Sequence, residues 1–400
     1  MPDTSYRPKT TCTRSGWPRA ANRQCGQLLI PRRIHASCHE SQRQDYTVLE
    51  MEFLHKSRSL FFRTLIIVIS IGVLVLLVTE VSNYVRSSTK ESGTVSSWLA
   101  TTNLPIGTSS ATSIVYKGYI YEIGGCGTVC PTSAVYYAPI VFNGVPGSWE
   151  QTTSLPTATF TASSVVYNGY LYEIGGGNES KDFSTVDFAR IRNDGTLGAW
   201  TPTTMLPLGL YGASSVAHDG YLYEMGGISG SQSFSTVDFA RIRNNGTLGA
   251  WMPTTRLPAA TKLASSIVYN GYLYEIGGTY GGKDFSTVDF ARIRNNGTLG
   301  AWTPTTMLPL GLYGASSVAH DGYLYEMGGI SGSESFSTVD FARIRNNGTL
   351  GAWMPTTMLP INLSWATAVT YNGFIYEIGG WVAPAPAASV FLAKIVGKRK

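Results

Sequence analysis

The chain has 400 residues, of which 43% are hydrophobic and 14% charged, with 44 Gly and 23 Tyr; this composition suits short strands joined by tight turns. The formal charge of +5 sits almost wholly in the first 63 residues. The remainder is near neutral, so no basic face of the kind nucleic-acid binding needs is expected. The five cysteines include no CxxC pair, which excludes a zinc ribbon or finger.

Residues 1–50 lack periodicity and are rich in Arg, Ser, Thr, Pro and Gln, so they read as disordered. Met51 and the EFLHKSRSLFFR that follows look like the ordinary start of an exported protein, which makes residues 1–50 readable as an over-long gene start. Residues 51–63 form a basic juxtamembrane segment carrying Lys56, Arg58 and Arg63. Next comes TLIIVISIGVLVLLVT, 16 residues without a charge, and residues 64–81 are expected to span a membrane as one helix. Leu60, Phe61 and Phe62 lengthen the apolar run if Arg63 snorkels to the headgroups. No small-x-small site follows, which favours an uncleaved signal anchor over a cleaved signal peptide. The basic residues before it place the N-terminus in the cytoplasm and everything after it outside. Residues 82–92 read as a polar linker.

From residue 93 the chain repeats itself. Gly-Gly pairs begin at Gly124, Gly175, Gly226, Gly277, Gly328 and Gly379, always 51 residues apart. Trp98, Trp149, Trp200, Trp251, Trp302 and Trp353 keep the same period, as do the Leu-Pro pairs beginning at Leu104, Leu155, Leu206, Leu257, Leu308 and Leu359. In one unit, ASSVVYNGYLYEIGG reads as two short strands joined at Asn168-Gly169, a dipeptide suited to a type I′ turn because both positions need positive φ. FSTVDFARIR reads as a third strand, and TLGAW, after a Gly turn, as a fourth. Each unit is therefore a four-stranded antiparallel sheet of propeller-blade size. The last unit stops after its third strand, SVFLAKIV, while an unmatched GTVSSW precedes the first Gly-Gly. Gly93–Trp98 is expected to pair with Ser389–Val396, closing a ring of six blades over residues 93–400 and removing two sheet edges. Blades three and five differ only at Gln232/Glu334 and Arg256/Met358 between Leu206 and Arg256, which points to copying of a two-blade unit.

The Gly-Gly after the second strand, the aromatic in the third, the Trp and the following Leu-Pro resemble the Kelch repeat. The resemblance covers residues 93–396. It implies an all-β, six-bladed Kelch-like propeller, here preceded by one N-terminal transmembrane helix. Two departures stand out. Phe188 and Trp200 are twelve apart, which lengthens the third hairpin. Where family members often carry Arg after the Leu-Pro, this chain has Thr108, Thr159, Leu210, Thr261, Leu312 and Leu363, so the basic central funnel that such arginines would imply is not expected.

Kelch-like propellers include a copper oxidase and six-bladed enzymes that isomerise sialic acid. His218 and His320 sit in a hairpin turn of near-identical repeats, where other repeats hold Tyr, and read as turn residues rather than copper ligands. No metal and no cofactor is expected. Glu122 and its repeats Glu173, Glu224, Glu275, Glu326 and Glu377 form a ring by period, expected to pair across strands with Arg190, Arg241, Arg292, Arg343 and Lys394. Irregular positions are the better candidates for ligand contact. Four residues after each Leu-Pro proline stand Ser109, Phe160, Tyr211, Lys262, Tyr313 and Ser364, the last followed by Trp365. Phe160, Tyr211, Lys262, Tyr313 and Trp365 are expected at the rim of the central axis, where aromatics and one Lys suit a glycan or a peptide. Cys126 and Cys130 are placed to form a small loop disulfide in an exported domain. The loops after the Gly-Gly pairs vary, the usual place for partner contact on a rigid scaffold. NGT at Asn245, Asn296 and Asn347, with Asn178 and Asn362, matches the glycosylation sequon. The sequence therefore reads as a membrane-anchored, extracytoplasmic binding or scaffold module with a protein or glycan ligand and no enzymatic chemistry; the alternative is a carbohydrate-active enzyme of sialic-acid mutarotase or epimerase type.

Overall fold

The computed structural model describes residues 55–58, 60–76 and 92–397. The segments expected as disordered (1–50), the start of the juxtamembrane segment, the end of the expected span at 77–81 and all of the linker but residue 92 lie outside the described residues. The chain forms two units, Met1–Arg86 and Ser87–Lys400.

In the first unit a helix covers His55–Leu76, 22 residues, long and apolar enough to cross a membrane. It begins nine residues before the expected span. The stretch ahead of Thr64 contains Lys, Arg and Leu, all good helix formers, and nothing in it breaks the helix.

The second unit is a ring of six antiparallel sheets. Blade one is built from Thr112–Tyr116, Tyr119–Ile123, Val135–Pro139 and Glu150–Gln151. Blades two to five repeat that plan, and blade six takes its outermost strand from the other end of the chain. Leu99 and Ala100 pair with Leu392 and Phe391. Val95 bridges Ile395, and the Gly93 N–H donates to the Val396 carbonyl at 2.9 Å. Closure by the N-terminal segment is as expected, with the regular pairing shifted just past Trp98. The shift has a local cause that repeats in other blades. The fourth strand of blade two is Thr201–Pro202 rather than TLGAW. Leu197 makes one bridge to Ile191, the Gly198 N–H still donates to the Arg190 carbonyl at 2.8 Å, and regular pairing resumes only at Thr201. Trp200 lies between these two pairings, and its indole N–H donates to the Thr153 carbonyl of the previous blade at 3.0 Å. Trp98 donates to Thr357 in the same way, at 2.9 Å. The repeated Trp is thus a staple between blades. Only in blade five does TLGAW continue as one strand, Leu350–Pro355.

Close approach explains the Gly-Gly pairs. Gly175 has φ 62°, and a Cβ there would lie 2.7 Å from the Leu210 carbonyl oxygen of the next blade. The Asn168-Gly169 turn has φ 49° and 78°, as a type I′ hairpin requires. Between blades, one tyrosine of each second strand is fully buried and reaches the turn between strands three and four of the next blade. Tyr121, Tyr172, Tyr223 and Tyr274 donate to the carbonyls of Gly195, Gly246, Gly297 and Gly348, and Tyr376 donates to Gly144. Tyr325 is the exception: its hydroxyl is buried and has no partner. The glycine in its slot is Gly93, which lies against Tyr323 and Phe341 as Gly246 lies against Tyr170 and Phe188. The ring is therefore closed at that point by a chain end instead of a hairpin.

The near-neutral charge of the propeller hides a polarity that the linear count does not predict. In VDFARIR the Asp starts the strand on the Gly-Gly side, while both arginines lie towards the hairpin turns. In register, Arg190 stands opposite Tyr170 at the hairpin end, and Asp187 stands opposite Glu173. Repetition gathers exposed arginines on one face of the ring, so the expectation of no basic face is corrected.

Candidate functional site

The rim is built on the axis itself. Ser110, Thr161, Gly212, Leu263, Gly314 and Trp365, one per blade, all adopt left-handed φ between 49° and 61°. Each N–H donates to the carbonyl of its counterpart in the preceding blade, from Thr161 to Ser110 at 2.9 Å round to Ser110 to Trp365 at 3.0 Å. Six amides thus close a hydrogen-bonded circle round the channel. Gly212 and Gly314 are required twice over. A Cβ on Gly212 would meet the Leu263 side chain at 2.8 Å, and one on Gly314 would meet the Trp365 ring at 3.2 Å. Leu263 and Trp365 therefore lean over their glycine neighbours and break the six-fold symmetry of the mouth.

Above this circle lies a basin of about 830 Å³, lined among others by Phe160, Tyr211, Lys262, Trp365, Glu179 and Trp381. Four of the five rim residues expected from the sequence thus share one cavity. Tyr313 does not line it; it packs edge-on against Trp365, with ring centroids 5.6 Å apart, and supports the wall from behind. Lys262 lies 6.0 Å from the Tyr211 ring centroid. Neither Lys262 nor Glu179 is in an ion pair with a described residue. Cys126 and Cys130 are joined in a disulfide, with Cα atoms 4.3 Å apart, and this loop forms part of the basin wall.

Glu179, Trp381 and Leu263 were not among the expected site residues. Glu179 and Trp381 lie in the variable loops, whose course the repeat does not dictate. In blades three to six those loops fold into two-residue ribbons, such as Trp381–Val382 with Ala385–Pro386, which carry Trp381 and Pro386 to the basin. Leu263 could be found only by asking which residue of each repeat stands where blade three has Gly212.

The glutamate ring is not part of this basin, and its pairing differs from expectation. Arg190 stacks on Tyr170, 4.8 Å from the ring centroid, so no arginine meets Glu173. The acid faces Asp187 across the strands instead, because Arg190 lies three residues further along and points to the other face. Glu173 accepts a hydrogen bond from Ser164 of its own blade, whose hydroxyl contacts Thr112 of the preceding blade. Glu224 accepts from Ser215 of its blade and from Ser163 of the preceding one. Blade six has Ala368 at this serine position, and Ser316 of blade five donates to both Glu377 oxygens, at 2.9 and 2.8 Å. Burial pushes all six carboxyl groups up from 4.5 to about 8, against the opposing effect of their serine and threonine donors. At neutral pH they are neutral acids that clasp blade to blade. Thr108, Thr159 and Thr261 are buried beside the Gly-Gly pairs, and Leu210, Leu312 and Leu363 are buried at the same places.

His218 and His320 lie in their hairpins, 3.4 and 3.6 Å from Asp219 and Asp321. No cluster of three or more His, Cys, Asp or Glu suited to a metal occurs among the described residues.

No protein-family model matches the chain. Among curated proteins, it is 24% identical over 234 residues to beta-scruin of Limulus polyphemus, covering 55% of this chain and 25% of that protein. It is 24% identical over 282 residues to Kelch-like protein terF of Aspergillus terreus, 66% of this chain and 59% of the relative. It is 23% identical over 273 residues to Kelch-like protein 23 of Mus musculus, 68% of this chain and 44% of the relative. The chain thus spans from a quarter to about three fifths of the length of these relatives. Among solved structures, YjhT superposes with TM-score 0.61 at 16% identity, over 72% of this chain and 95% of that one, a likeness of fold alone.

Proposed function

We propose that this chain, a six-bladed Kelch-repeat β-propeller, is a membrane-tethered module that binds a protein or glycan in the basin at the mouth of its channel. One observation carries the reading. The near-symmetric ring becomes asymmetric at the mouth, and there it gathers Phe160, Tyr211, Trp365, Trp381 and Lys262 round one cavity. Rigid aromatics bury much area at small cost in entropy, and the closed amide circle beneath them holds the wall in place before a ligand arrives. Kelch repeats in the named relatives agree with a binding role at this level. The apolar helix His55–Leu76 serves as the anchor in this reading, with the preceding residues in the cytoplasm and the propeller outside.

The test is a peptide and glycan array probed with the full chain in detergent. Ligands found there are then measured against the variant combining Tyr211→Ala, Lys262→Ala and Tyr313→Ala. Loss of at least tenfold in affinity is expected, and unchanged affinity rejects the site.

A second reading, a carbohydrate-active enzyme, has one specific point in its favour. Glu179 and Lys262 are a non-repeated acid and base on the wall of the same basin. Turnover of a bound glycan that stops in Glu179→Gln while binding persists would favour it.

A further inference from the structure

We propose that the hairpin-turn face of the propeller, opposite the basin, rests on an anionic lipid surface. The inference builds on the membrane-tethered reading above and adds which face the bilayer meets and what holds it there.

The charge distribution is the first ground. Arg190 and Arg192 in blade two, and their repeats 51, 102 and 153 residues on, are all exposed. Their heads sit at the turns. Arg190 covers the Tyr170 ring beside the Asn168-Gly169 hairpin, and Arg192 donates to the Leu197 carbonyl across the turn between strands three and four at 2.5 Å. Each of these contacts leaves other guanidinium N–H groups free to meet phosphate. Lys117 lies in the blade-one hairpin, and Lys394 lies over Phe374 in blade six. Against these cations, the described turns carry exposed carboxylates at Asp194, Asp219 and Asp321. The face is therefore strongly basic although the propeller as a whole is near neutral.

The second ground is apolar. Blade one has Pro139 and Val141 where blades two to five have arginines, and its turn presents Phe142 at 88% exposure beside Val141 at 49%. An exposed aromatic next to a basic arc is the composition of a membrane-interface contact. A nucleic acid would need the basic arc but gives no reason for an exposed Val141 beside the ring.

The third ground is where the chain enters. Gly93 occupies the turn slot that Gly144 and Gly195 fill in blades one and two, so the polypeptide joins the propeller on this face. Sixteen residues separate it from Leu76 of the apolar helix, a reach of about 55 Å at full extension. A linker of that length allows this face to reach headgroups, and the basin opens on the opposite face.

The experiment is hydrogen exchange on the full chain incorporated in lipid nanodiscs, either purely phosphatidylcholine or with about a third phosphatidylserine. Residues 139–145, 190–197 and their repeats should exchange at least threefold more slowly in the anionic discs. The Gly-Gly loops should not change, and 1 M salt should remove most of the difference in the arginine turns. Replacing Arg190, Arg241, Arg292 and Arg343 together by Gln should abolish the protection, because each charge near an anionic surface strengthens attachment roughly fivefold. The same four replaced by Lys should retain it, and unchanged exchange in the buried second strands reports an intact fold. Equal exchange in both discs overturns the inference, and so does protection of these turns by an added oligonucleotide but not by anionic lipid. Failure of the chain to enter neutral discs would instead count against the tether itself.

Discussion

Replacing Tyr223 and Tyr325 by Phe, one at a time, separates the ring's regular junctions from its seam. Tyr223 is fully buried and its hydroxyl donates to the Gly297 carbonyl at 2.8 Å. Removing the hydroxyl deletes one hydrogen bond and leaves a buried carbonyl with an unmet acceptor, a cost of about 1–3 kcal/mol. Tyr325 is equally buried, in an almost identical repeat, yet its hydroxyl has no partner because Gly93 stands where a hairpin would be. Removing that hydroxyl relieves an unmet polar group and should cost nothing, or stabilise by about 1 kcal/mol. For a domain of this size 1 kcal/mol corresponds to roughly 2 °C in Tm. Thermal unfolding of the two variants should place Tyr223→Phe about 2–6 °C below the parent and Tyr325→Phe at or above it. Equal losses would refute the seam, since they would require Tyr325 to be bonded like the other five.

Two further outcomes follow from the same junctions. The six neutral glutamates have folded values of about 8 against 4.5. Between those limits the native state holds protons that the unfolded chain has released, so stability falls as pH rises from about 4.5 to 8 and levels off above, the reverse of an ion-paired carboxylate. Denaturant midpoints at pH 6 and 9 should show that fall, and Glu224→Gln should lessen it; a midpoint that rises with pH would contradict the assignment. Gly230 and Gly175 make a second contrast. Both have left-handed φ, but a Cβ on Gly230 meets open space whereas one on Gly175 meets the Leu210 carbonyl at 2.7 Å. Gly230→Ala should cost about 1 kcal/mol, and Gly175→Ala about 3 kcal/mol or more, or prevent folding; chemical denaturation compares them directly.

Most of the fold could be read from the repeat because propeller geometry repeats whatever the chain repeats. A 51-residue period in Gly-Gly, Trp and Leu-Pro fixes the blade, and complementary fragments at the two ends fix the closure. The sequence misled where two residues compete for one register. TLGAW looks like a strand, but in blade two the register shifts between the Ile191–Leu197 bridge and the Phe188–Thr201 pair, and the Trp between them staples the neighbouring blade. Glu173 and Arg190 look like a cross-strand pair, but they lie on opposite faces of their sheet, and the acid is left to hydroxyls. Charge was misread for a related reason. A count along the chain averages Asp187 with Arg190, whereas the strand carries them to opposite ends of the blade. The site was half legible. Phe160, Tyr211, Lys262 and Trp365 sit at fixed positions of the repeat, so period alone brings them together. Glu179 and Trp381 reach the basin through loops that no repeat dictates.

The most direct measurement is a hydrogen-exchange footprint of the full chain with and without a ligand taken from the array. Binding in the basin predicts protection of residues 159–161, 177–181, 211–212, 262–263 and 365, with the six hairpin turns unchanged. Protection confined to the hairpin turns, or to the outer edges of the blades, would contradict a binding site at the mouth of the channel.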